Sequence, residues 1–98
     1  MDRKQIGELL EQTGRIRYEF LAAEIQTCIT ALEMAEFELS KHNLPVVERE
    51  MSSVDEGIRV VERFLNDFSL GDRAEIEKRL ANLKTYAARV KTAVLSSK

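Results

Sequence analysis

Three stretches of this 98-residue chain place apolar side chains at alternating spacings of three and four residues. That mean period of 3.5 belongs to helices crossing at a shallow angle, whereas strands alternate with a period of two. The first stretch carries Tyr18, Leu21, Ile25, Cys28, Leu32, Ala35 and Leu39, and the second Val47, Met51, Val54, Ile58, Val61, Leu65 and Phe68. The third carries Ile76, Leu80, Leu83, Ala87, Val90 and Val94, and none of the twenty positions is charged.

The seams are spaced so that they face one another. Residues level in an antiparallel helix pair have numbers with a constant total, and from Leu39 with Val47 to Tyr18 with Phe68 the first two seams total 86. From Val47 with Val94 to Leu65 with Ile76 the second and third total 141, which makes six layers of three, with Ile58 and Leu83 sharing a middle one. Flanking charges agree in part: Glu48 falls near Lys91 and Asp55 near Lys84, while Glu62 falls near Glu77. Gly57, which in mid-helix costs about 1 kcal/mol relative to alanine, falls level with Tyr86 and is expected to make room for that ring.

Only two dense breaker clusters interrupt the pattern, His42-Asn43-Leu44-Pro45 and Ser69-Leu70-Gly71-Asp72. Asn43 suits the left-handed residue that ends a helix, and Pro45 suits the first turn of the next. Gly71 suits a terminating position, and Asp72 with Glu75 has the spacing of an acidic capping box. Short connections force neighbouring helices to run antiparallel. The expected fold is all-α: an antiparallel up-down-up three-helix bundle, coiled-coil-like, with helices near 2–42, 45–68 and 72–96. Residues 1–98 form one domain, because a 44% hydrophobic content supplies one core and hardly two.

Helix one carries a second uncharged series, Ile6, Leu9, Thr13, Ile16, Phe20, Ala23, Thr27, Thr30, Met34 and Phe37. An offset of two residues rotates it about 200° from the first seam, so it faces away from the other helices. The layers begin only at Tyr18, which leaves residues 1–17 as an overhang of about 24 Å. No residues of the other helices remain to cover Ile6, Leu9, Leu10 and Ile16. A second copy, another helical protein, or a fold-back at Gly14 would bury them; otherwise the overhang frays and the stripe is solvated. The second copy is the favoured reading, with Ile6, Leu9, Leu10, Ile16, Phe20, Met34 and Phe37 as interface residues of a homodimer.

Chemistry is not indicated. The inward positions are aliphatic apart from Cys28 and Tyr18, so no catalytic cleft, and hence no enzyme, is expected. One cysteine and one histidine assemble neither a disulfide nor a zinc site within a chain. Cys28 reads as a small core hydrophobe, and His42, one turn after Glu38, as surface or capping. Phosphate loops, dinucleotide fingerprints and Glu-x-x-His motifs are absent, and no cofactor is expected. The chain starts without a signal-peptide hydrophobic region, and no apolar run spans a membrane, so a cytoplasmic location is expected.

Nucleic-acid binding is the rival reading. Fifteen basic against seventeen acidic residues leave a net charge of -2, but seven of the basic residues and only three of the acidic ones lie in 72–98. Arg79, Lys84, Arg89 and Lys91 would then hold phosphates, with Tyr86 the only large aromatic on that helix. A membrane surface is disfavoured because Glu19, Glu24, Glu33 and Glu38 flank the second face of helix one. The expected function is a non-catalytic assembly module that self-associates through helix one.

Overall fold

The computed structural model describes the backbone of residues 3–65 and 70–97 and the side chains of residues 17–65 and 73–97. Three α-helices, α1 (Arg3–Ser40), α2 (Leu44–Leu65) and α3 (Leu70–Ser96), pack together, and no strand occurs among the described residues. The molecule measures 61 × 20 × 16 Å with a radius of gyration of 17.0 Å. A compact chain of this length would have about 13 Å. The elongation follows from α1, whose 38 residues exceed the 22 of α2 by about 24 Å of helix.

Burial follows the seams. Among the described residues the fourteen buried apolar side chains, from Leu21 to Val94, all occupy seam positions, and Leu32, Val47, Val54, Val61 and Ile76 are completely covered. Tyr18, Leu39, Met51, Ile58 and Leu65 are half-buried against that core. Ile58, expected in a fully covered middle layer, is therefore closer to water than Leu83. Phe68 lies outside the described residues.

The turn after α1 is built differently from its sequence reading. His42, not Asn43, adopts the left-handed conformation, with φ 59°. The Asn43 N–H donates to Glu38 O at 2.9 Å and the His42 N–H to Leu39 O at 3.0 Å, the two bonds of a Schellman motif. Asn43 Nδ2 then donates to the Glu38 carboxylate at 2.8 Å, while the Asn43 carbonyl accepts the Val47 N–H at 3.1 Å and opens α2. Asn43 thus closes one helix and starts the next, which shifts the strained position back by one residue. Pro45 sits in the first turn, where its missing N–H costs nothing. Because His42 is exposed and pays for its backbone conformation, His42→Gly is expected to stabilise the protein by about 1 kcal/mol, raising Tm by about 4 °C. An unchanged or lower Tm in a thermal melt would contradict this.

The second connection also shifts. Residues 66–69 lie outside the described residues, but Leu70 and Gly71 are both helical, so Gly71 lies within α3 instead of terminating α2. Glu75, expected to reach back as a capping partner, instead accepts from Arg79 Nε at 3.2 Å, and Arg73 Nε donates to Glu77 at 2.8 Å. Each exposed pair one turn apart contributes about 0.3–0.5 kcal/mol.

Charge partners and the role of Gly57 need correction. Lys84 Nζ pairs with Glu62 at 3.5 Å, not with Asp55, and Arg73 Nε pairs with Glu77 at 2.8 Å, so each carboxylate of the expected Glu62–Glu77 clash has its own cation. Long side chains reach two or three residues either way along a neighbouring helix, so an alignment by residue number does not fix their partners. Gly57 is buried, but a Cβ there would overlap Cys28 Sγ, so the glycine lets α1 approach α2 instead of seating Tyr86. The same sulfur lies 3.9 Å from Val54 O, one turn earlier on α2. Tyr86 packs elsewhere: its hydroxyl donates to Glu36 Oε1, and Arg89 lies 5.1 Å over its ring.

Candidate interaction face on the first helix

The backbone of α1 is one unbroken helix from Arg3 to Ser40, passing through Gly14, so the fold-back considered at that glycine does not occur. The face turned away from the core is the second apolar series. Phe20, Met34 and Phe37 on it are 51%, 45% and 55% exposed, and Ala23, Thr27 and Thr30 are exposed between them. The side chains of Ile6, Leu9, Leu10 and Ile16 lie outside the described residues.

The two threonines make this stripe more apolar than their type suggests. Thr27 Oγ1 donates to Ala23 O at 3.0 Å and Thr30 Oγ1 to Gln26 O at 3.1 Å, so each hydroxyl proton is spent on its own helix. At the far end, Lys41 Nζ stands 4.2 Å above the Phe37 ring and gives the stripe a charged border. Two further exposed apolar side chains, Phe64 on α2 and Leu95 on α3, were not singled out from the sequence. Each adjoins a seam position, Leu65 and Val94, and only tertiary packing shows which of two adjacent apolar residues is covered.

No group of three or more metal-ligating side chains occurs among the described residues. Burial pushes the Cys28 thiol up from its ordinary range and the charge of Glu24 adds to this, so the thiol holds its proton at neutral pH. The Tyr86 hydroxyl is pushed up to about 12 by desolvation and by its bond to Glu36, against an opposing effect of Arg89. His42 is exposed, and the Glu38 carboxylate beside it is taken by Asn43.

The four cations of the rival reading are placed among local partners. Arg79 bonds Glu75 and lies 6.0 Å over Tyr18, Lys84 pairs with Glu62, and Arg89 covers Tyr86. Lys91 borders a groove together with Glu48 and Asp55. No described helix is long and apolar enough to cross a membrane. Comparison with family models, with curated proteins and with solved structures gives no match for this chain.

Proposed function

We propose that the protein is a non-catalytic assembly module, a homodimer formed through the second face of α1. The observation that carries this reading is the charge-free stripe in which Phe20, Met34 and Phe37 are each about half exposed, on the helix that outreaches its neighbours. Burying such a stripe against a copy of itself needs no second gene product and closes the assembly by two-fold symmetry.

The module is read as an up-down-up, coiled-coil-like bundle. Supporting this, Tyr18 meets Arg79 and Glu36 meets Tyr86, so numbers rise together along α1 and α3. The three-residue connection between α1 and α2 supports a reversal there. Burial confined to positions three and four apart supports coiled-coil-like packing.

In light scattering behind a sizing column the protein is expected at about 22 kDa, twice its 11.2 kDa. Leu9→Glu with Phe20→Glu is expected to return it to 11.2 kDa while helical circular dichroism is kept, since neither residue belongs to the seams. A wild-type monomer at every concentration would overturn the reading. The nucleic-acid reading is disfavoured because Arg79, Lys84 and Arg89 already face carboxylates or rings. It predicts salt-sensitive retention on heparin that Lys84 and Arg89 substitutions weaken.

A further inference from the structure

We infer that two copies pack their α1 helices antiparallel about a two-fold axis between Leu21 and Ala22, so that facing stripe positions have numbers totalling 43. This rests on the self-association proposed above and specifies its geometry. Three observations on α1 converge on it.

The first is length. The stripe from Ile6 to Phe37 is centred between Leu21 and Ala22. Among antiparallel registers, this one overlaps the two stripes from end to end, and sliding by one heptad gives up about 10 Å of contact. It also uses the overhang, because the half of α1 that precedes Leu21, the first buried residue among those described, then lies along the half that carries the bundle of the second copy.

The second is the pairing of stripe positions. Phe20 comes level with Ala23 of the second copy, Ile16 with Thr27, and Thr13 with Thr30, so no layer sets two phenylalanines against each other.

The third is charge. The flank following the stripe reads Arg3, Leu10 and Arg17 in the first half of α1, then Glu24, Ala31 and Glu38 in the second. Antiparallel pairing about the stated axis sets Arg17 beside Glu24 of the second copy, twice by symmetry. On the other flank Glu19 meets Gln26 and Gln12 meets Glu33, with no like charges. A parallel pair would bring Glu19 beside Glu24 and Glu33 beside Glu38. Antiparallel pairs shifted by a heptad would set either Glu24 against Glu24 or Arg17 against Arg17.

Two measurements on the full chain test this. With nitroxides on Ser40→Cys in a Cys28→Ala background, the antiparallel register places the two labelled backbones about 55 Å apart along the axis. A parallel pair places them within about 25 Å, because packed helices lie 8–10 Å apart. Pulsed electron–electron resonance on the dimer distinguishes these. In the second, Arg17→Glu and Glu24→Arg are each expected to weaken self-association about tenfold, and an equimolar mixture is expected to regain wild-type affinity as a heterodimer. A dimer that Phe20→Glu dissociates but whose labels lie close together, or whose mixed variants do not rescue each other, overturns the register alone. Wild-type protein that stays at 11.2 kDa at all concentrations overturns the self-association reading and the register with it.

Discussion

Leu83→Asp is expected to abolish cooperative folding. Leu83 is 1% exposed at the centre of α3, and a carboxylate there loses its water. Removing the leucine forfeits about 2–5 kcal/mol, and burying an unpaired charge costs several more. Together these approach the about 5–15 kcal/mol that holds a small domain folded. The half-buried Ile58, assigned to the same layer from residue numbers, behaves differently: a carboxylate there can turn towards solvent, so Ile58→Asp is expected to leave a folded protein with a lowered melting point. Far-ultraviolet circular dichroism during urea titration reads both. A Leu83→Asp variant that unfolds cooperatively near the wild-type midpoint would mean that α3 does not bury that position.

The second large effect is a coupling. Gly57→Ala improves helix propensity by about 1 kcal/mol, but its Cβ overlaps Cys28 Sγ, and relieving the overlap requires α1 and α2 to separate or the cysteine to leave its rotamer. The overpacking cost of about 1–3 kcal/mol exceeds the gain, so Gly57→Ala alone is expected to destabilise. In a Cys28→Ala background the obstructing sulfur is gone, and the same substitution is expected to stabilise by up to about 1 kcal/mol. The coupling between the two sites is then about 2 kcal/mol, measured as a double-mutant cycle from urea midpoints of the four proteins. Equal destabilisation in both backgrounds would show that close approach at Cys28 is not what requires the glycine.

These two cases separate what was legible in the residues from what was not. Leu83 is recognisable as core because it repeats with its neighbours at a helical period, and a periodic signal survives small errors in alignment. Gly57 is recognisable only as an anomaly in mid-helix. Which side chain it accommodates depends on the rotation of two helices about each other, and that quantity leaves no trace in spacing. The stripe of Phe20, Met34 and Phe37 was legible for the same reason as the seams. The exposed Phe64 and Leu95 were not, since they adjoin seam residues and differ from them only in the direction of the side chain.

From the sequence alone came the number of helices, the identity of the buried apolar side chains among the described residues and the second uncharged series of α1. All of these depend on period and residue type, which local chain geometry imposes wherever the helix lies in space. Tertiary structure alone decided the left-handed residue at His42, the partner of Lys84 and the occupant of the space above Gly57. Those outcomes depend on how far one helix slides and turns against another by an ångström or two. At that scale steric overlap and hydrogen-bond geometry select one arrangement among several that share the same pattern of residues.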